Sequence, residues 1–297
     1  MLVQCPSMNR LIFPFLPLLL LLPLGCTPSP SVAPDIVPDT PPKRIISTLP
    51  SITEVLFDIG LGDRIVGDSE FTKYPPEVAS IAKIGGLNNV NHERIITLKP
   101  DLVILSIENV SLRQSLSAPV LVVDHRTLAG VLESYLIIGE IFGGDIQTAA
   151  RKKRQELLDQ LNAFDARTEG KEPIRTLISI DRSRGTGRIH NLFVAGTDSF
   201  LTEVVAKAGG INVVTSITTQ YGAEGVISQA PDVIIEIQFS GIDPAQSLAD
   251  WQSFGNSVPA VQNRRILVLS DDFASIPGPR TPMLIEIIAR YFESLEL

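Results

Sequence analysis

His92 stands directly before Glu93 at the head of the segment "HERIITL". This is the order that opens the zinc pattern H-E-x-x-H, where two histidines one helical turn apart hold the metal and the glutamate acts as base. The position a second ligand would need is Ile96, and the remaining histidines, His125 and His190, lie in distant segments. Their spacing suits no metal-ligand pattern, so no metal site is expected. The chain also lacks a G-x-S-x-G elbow and a P-loop, which leaves a hydrolase or metalloenzyme without a nucleophile or a metal set. What the stretch does carry is an internal echo. Glu93-Arg-Ile-Ile-Thr-Leu-Lys-Pro100-Asp-Leu-Val-Ile has a counterpart in Glu224-Gly-Val-Ile-Ser-Gln-Ala-Pro231-Asp-Val-Ile-Ile, with the glutamate, the apolar pair, the Pro-Asp and the apolar run in the same register. The bland alternative, a carboxylate favoured by a helix N-terminus, explains each glutamate singly but not the shared register.

The elements that hold these residues alternate in type. "RIIST", "RIVG", "DLVILS" and "VLVVD" read as short buried strands, each followed by a helical pattern. Ser51 followed by Glu54 reads as a capping box opening "ITEVLFDIG", which Gly60 and Gly62 end. Residues 145–169, "DIQTAARKKRQELLDQLNAFDARTE", contain no Gly or Pro and set Leu157, Leu158 and Leu161 on one stripe, predicting one long, largely exposed helix. Strands resume with "RTLISI", "LFVAG", "DVIIEI" and "RILVLS", between helices such as "SFLTEVVAKA" and "TPMLIEIIARYFESL". The pattern predicts an α/β protein of two Rossmann-like lobes, 43–144 and 170–297, with mainly parallel sheets, joined by the helix 145–169. A cleft between two related lobes is a natural ligand site.

The first twenty-five residues are a different polymer. Arg10 is their only charge, and "LIFPFLPLLLLLPLG" is too short and proline-broken to span a membrane but suits a signal peptide, residues 1–25, with Met8 the more economical start. The two cysteines, Cys5 and Cys26, both fall in this region, so no disulfide forms within the folded part. Cys26 closes "LLPLGC", which resembles a lipobox; Gly25 and Cys26 fit it, while Pro23 and Leu24 depart from it. Lipidation at Cys26 is expected, followed by a Pro-rich tether over 26–42. The 297-residue chain carries a net charge of -8 and no dense Lys/Arg cluster, which excludes a nucleic-acid binder.

Taken together, "RIISTLPSITEVLFDIGLGDRIVGDSEFTKYPPEVASIAKIGGLNNVNHERIITLKPDLVILS", "FVAGTDSFLTEVVAKAGGINVV", "AEGVISQAPDVIIEI" and "VPAVQNRRILVLSDDFASIPGPR" resemble the periplasmic binding proteins of ABC importers for cobalamin, ferric siderophores and haem. The resemblance covers nearly the whole chain beyond the tether. It implies a monomeric, exported, non-enzymatic protein without a resident cofactor. Such a protein is held at a membrane surface by its lipid, binds a metal chelate in the interlobe cleft with small closure, and serves an ABC permease and its ATPase. The family's permease-docking glutamates fall on Glu93 and Glu224. Its cleft positions fall on Phe71, Leu87, Phe193, Thr218 and Phe273, with Arg280 placed to pair with a ligand carboxylate or phosphate. The phenylalanines suit stacking on a flat macrocycle, with core packing as their alternative role. His125 ends a strand, either facing the cleft or satisfied at the surface, and Tyr74 and Tyr221 are weaker rim candidates. Leu87 and Thr218 stand where cobalamin-binding relatives tend to carry tryptophan. A corrinoid is the first reading, a ferric siderophore or haem the second, and a metalloenzyme or sensor module the rival class.

Overall fold

The computed structural model describes residues 40–183, 189–238 and 243–295, all within one compact unit. Cys26, the expected signal peptide and nearly all of the tether lie outside the described residues. In chain order the elements are β1 Ile45–Ser47, α1 Pro50–Asp58, β2 Ile65–Asp68, β3 Ala82–Lys83, α2 His92–Thr97, β4 Leu102–Ser106, β5 Val120–Val123, α3 Leu128–Phe142 and α4 Gly144–Thr168. They continue with β6 Ile174–Ser183, β7 His190–Val194, α5 Phe200–Lys207, β8 Gly210–Asn212, β9 Thr219–Tyr221, α6 Ala223–Gln229, β10 Val233–Ile237, α7 Pro244–Trp251, α8 Pro259–Gln262, β11 Ile266–Leu269 and α9 Thr281–Glu293.

The first sheet has the order β3-β2-β1-β4-β5, and every pairing in it is parallel. That is why its central strands are apolar throughout: β4 is buried at all five positions, as a strand covered on both faces must be. The second sheet has the order β11-β10-β6-β7-β9, with β8 beside β6. It is parallel except that β7 runs antiparallel to both β6 and β9.

The uninterrupted helix expected over 145–169 is α4. Gly143 and Gly144, at φ 64° and 51°, break the chain between α3 and α4 in a conformation that suits glycine. Gly139 lets the two helices approach closely, since a Cβ there would lie 2.8 Å from Ala150. Toward its start α4 joins the first sheet's helices, with Lys153 Nζ 3.3 Å from Asp58 Oδ1 of α1. At its far end it joins the second sheet's helices, through Asp165 to Lys207 of α5 at 2.9 Å and Arg167 to Glu293 of α9 at 3.1 Å. Its buried residues, Ala150, Leu157, Leu161 and Phe164, belong to a core cluster that also takes side chains from both sheets.

One local expectation fails. Ser51 and Glu54 do not form a capping box: the N-cap of α1 is Leu49, with Pro50 at the first helical position and no side-chain cap. Proline there has no N–H to satisfy. This leaves both Ser51 and Glu54 buried inside the helix and available for tertiary contacts.

Candidate functional site

Parallel strands deliver their following loops to one edge of a sheet, and ligands of open α/β sheets sit at that carboxyl edge. Here the carboxyl edges of the two sheets border a cavity of about 740 Å³. The first sheet contributes Pro50 and Ser51 after β1, Phe71 and Lys73 after β2, Leu87 after β3, Glu108 after β4, and His125 with Arg126 after β5. The other wall contains Gln238 after β10 and Ser270, Asp272, Ile276 and Pro277 after β11, together with Asp198 and Phe200 at α5 and Thr218 before β9.

Four of the seven residues expected at the ligand line this cavity: Phe71, Leu87, His125 and Thr218. Phe71 is 57% exposed, an apolar face with no core duty. The Leu87 backbone is held by Asn109, whose Nδ2 donates to its carbonyl at 2.8 Å. Thr218 is fixed by Asp198, whose Oδ1 accepts from the Thr218 N–H at 2.6 Å and its hydroxyl at 2.8 Å. Burial pushes the Asp198 carboxyl up, but these hydrogen bonds outweigh it and leave the group below the ordinary aspartate range.

The other three do not line it. Phe273 is 9% exposed and packs in the main core cluster, so the core-packing alternative applies to it. Phe193 is exposed on β7 but away from the cavity wall, facing Gln220 across the β7–β9 pair. Arg280 is already engaged. Its Nε donates to Glu54 Oε2 at 3.0 Å and its Nη1 to Asp272 Oδ1 at 3.0 Å, while its guanidinium lies 4.4 Å from the Tyr74 ring centroid and 5.6 Å from that of Phe273. Instead of waiting for a ligand anion, Arg280 ties α9 to α1 and to the loop after β2. Glu54 is therefore a residue of the site's frame that local sequence reading placed in a helix cap. Its partner lies 226 positions away, and no spacing signal links them.

Of the weaker candidates, Tyr74 does not line the cavity but packs its ring against the Arg280 guanidinium. Tyr221 packs on a core cluster around the second sheet and accepts a hydrogen bond from Gln229 at 3.3 Å.

His125 is buried, with Nδ1 2.9 Å from Ser51 Oγ. Burial depresses its pKa to about 4, against the opposing charge of Asp124, so the ring is neutral at physiological pH. Its Nε2 and the Oε1 of Gln238, also buried, have no hydrogen-bond partner among the described residues. Unmet buried polar atoms each cost about 1–3 kcal/mol. The charges around the cavity are mixed: Lys73 and Arg126 against Glu108, Asp198 and Asp272. Arg126 is further neutralised by Asp124, its Nη2 2.6 Å from Asp124 Oδ2. Among the described residues no group of three or more His, Cys, Asp or Glu side chains converges, and His92 Nε2 lies 2.7 Å from the Ser115 carbonyl oxygen.

Glu93 and Glu224 do not line the cavity; they are exposed in the first turns of α2 and α6. The echo seen in sequence holds in three dimensions. Each glutamate opens a helix that leads into a strand next to the first strand of its half, β4 beside β1 and β10 beside β6. Lys99 and Ala230, six residues after the glutamates, both adopt left-handed backbone, φ 47° and 43°.

Against known proteins, residues 45–273 match the family described as "Periplasmic binding protein". A vitamin B12-binding protein of Vibrio parahaemolyticus is 26% identical over 264 residues, covering 86% of this chain and 91% of that protein. An uncharacterized ABC transporter substrate-binding lipoprotein of Bacillus subtilis, YvrC, is 28% identical over 277 residues, covering 88% and 82%. Among solved structures, the periplasmic vitamin B12 binding protein BtuF of Vibrio cholerae aligns at a TM-score of 0.70 and 25% identity, over 86% of this chain and 98% of that one. The periplasmic heme-binding protein BhuT, in complex with two hemes, shares the fold at a TM-score of 0.70 and 24% identity, over 84% and 97%.

Proposed function

From the premise that this chain belongs to the periplasmic binding protein family, we propose that it captures a metal chelate without net negative charge, first of all a corrinoid. The cavity between its two sheets receives the ligand, and an ABC permease takes it on. The observation that carries the ligand class is the charge around the cavity: two basic against three acidic lining residues, with Arg126 and the neighbouring Arg280 already ion-paired. Haem brings two propionates and catecholate siderophores bring several negative charges, and both need cations that are free to answer them. A corrinoid brings peripheral amides, which need no free cation, and a flat apolar body for the exposed ring of Phe71. Apolar burial at about 25 cal/mol per Å² outweighs any one hydrogen bond, at about 0.5–1.5 kcal/mol, so the wall supplies affinity and the polar atoms orientation.

Two relatives named for vitamin B12 binding support this reading, and the likeness to haem-binding folds keeps haem as the second. The chain's export fits the same family. The folded part would divide into lobes 43–144 and 170–297 about α4. Cys26 would carry the lipid anchor, as in the relative named a lipoprotein, and the protein would act as a monomer. Glu93 and Glu224 would each meet a cationic side chain of the permease, steering and orienting the complex. Calorimetric titration of the purified protein with cyanocobalamin, haemin and a ferric hydroxamate tests the ligand. Tight one-to-one binding of cyanocobalamin supports the reading, and preference for haemin replaces it.

A further inference from the structure

Each copy of the repeat exposes more than its glutamate. Three residues after Glu93 stands Ile96, 52% exposed, and three after Glu224 stands Ile227, 41% exposed. The inward position of each helix is filled by its neighbour, the fully buried Ile95 or Val226, so neither exposed isoleucine serves the core. The next residue is an exposed hydroxyl in both, Thr97 and Ser228. Positions i, i+3 and i+4 share one helix face, so both halves of the molecule present the same patch: a carboxylate, an isoleucine and a hydroxyl. A single exposed isoleucine is ordinary on a protein surface. Two at one register of two copies, each beside an exposed carboxylate, are not explained by surface composition.

Both patches are also held rigidly, and in the same way. Arg44 Nη2 donates to the Leu98 carbonyl at 2.6 Å, and Arg175 Nη2 donates to the Gln229 carbonyl at 2.6 Å, fastening the last turn of each helix. The backbone N–H of Asp101 donates to the Arg44 carbonyl at 3.0 Å and that of Asp232 to the Arg175 carbonyl at 2.8 Å. The strained left-handed residues Lys99 and Ala230 lie between these bonds.

We infer that Ile96 and Ile227 are the apolar anchors of a two-part docking surface. It fits a protein partner with two equivalent sites, each an apolar hollow bordered by cationic side chains. The inference rests on the docking role proposed for Glu93 and Glu224 and takes its partner, the ABC permease, from it. Charge complementarity sets the approach, while burial of the two isoleucines sets how long the complex lasts.

The test is stimulation of the permease–ATPase complex in liposomes by the ligand-loaded protein. Ile96→Ser with Ile227→Ser should raise the half-maximal concentration about 100-fold and each single change about tenfold, with cyanocobalamin affinity and Tm unmoved. Glu93→Gln with Glu224→Gln is run beside them. If the glutamine pair weakens stimulation and the serine pair does not, the isoleucine inference is overturned while the docking reading stands; if neither does, both fall. If the serine pair abolishes a self-associated form in sedimentation and leaves stimulation intact, the surface belongs to a second copy of this chain and the inference is overturned as well.

Discussion

Arg182 and Arg280 have the same kind of company, two carboxylates with one aromatic ring for Arg182 and two for Arg280, and serve different ends. Arg182 of β6 is fully buried. Its Nε lies 3.0 Å from Glu236 Oε1 of β10, its Nη1 2.8 Å from Asp250 Oδ2 of α7 and its Nη2 2.6 Å from Ser247 Oγ, with the Trp251 ring 5.8 Å away. All of these partners belong to the second sheet and its helix, so the cluster ties β6, β10 and α7 into one body. Arg280 stays in contact with solvent and reaches across, from the head of α9 to Glu54 of α1 and to the Tyr74 ring. A buried charge that loses its partner is strongly destabilising; Glu54 is buried like the partners of Arg182 but its raised pKa lets it take up a proton, and Asp272 reaches solvent, so less rests on Arg280. The first cluster should therefore decide whether the second half folds, and the second cluster how the cavity is shaped.

The largest effect should come from Arg182→Met, which leaves Glu236 and Asp250 in the interior without that guanidinium. It should cost about 3–5 kcal/mol in urea unfolding; a loss no larger than that of Arg280→Met would erase the contrast. Next is His125, a buried group whose pKa of about 4 lies below the usual 6.5. Because its folded pKa is depressed, its neutral form contributes stability above pH 6.5 that is lost as pH falls toward 4, roughly 3 kcal/mol in all. His125→Gln should remove that slope from the stability–pH curve.

Arg280→Met should cost about 1–3 kcal/mol of stability, less than Arg182→Met because the stranded Glu54 can be protonated and Asp272 reaches solvent. It should weaken cyanocobalamin binding about tenfold, because the two walls are no longer held in register. The same cluster should respond to acid in a set order. Burial raises the Glu54 pKa despite Arg280. Burial also pushes Asp272 up, but its bonds and attraction to Arg280 prevail and leave it lowered. As pH falls, Glu54 is protonated first and the link across the cavity loosens while Arg280–Asp272 persists. For folding the sign is opposite to that of His125: a raised carboxyl favours the folded state below its unfolded pKa of 4.5, and that contribution is lost as pH rises through the folded value. Cyanocobalamin should therefore dissociate faster in acid than at neutral pH in the native protein, with the difference much reduced in Glu54→Gln. The smallest stability change, within about 0.5 kcal/mol, belongs to Phe71→Ala on its exposed site, with ligand affinity down about tenfold.

The contrast also marks what a one-dimensional reading could see. Strand and helix alternation, the length of α4 and the Glu93/Glu224 register depend on neighbours in sequence, and all three survive in the structure. Ser51 and Glu54 had a local motif that fitted equally well and lost to tertiary contacts, with His125 and with Arg280. Phe71 and Phe273 are the same residue type after strands of the same kind. Only the packing of α9 and its core cluster tells that one faces the cavity and the other is interior. Arg182 gave no sequence signal at all, because its carboxylates come from two later segments that meet only when β10 lies against β6.

The most direct measurement is a calorimetric titration of the purified chain with cyanocobalamin and, separately, haemin. One-to-one cyanocobalamin binding at micromolar Kd or tighter, with haemin at least tenfold weaker, is the expected result. No cyanocobalamin binding, or tighter binding of the dianionic haemin, would contradict a cavity built for a chelate without net negative charge.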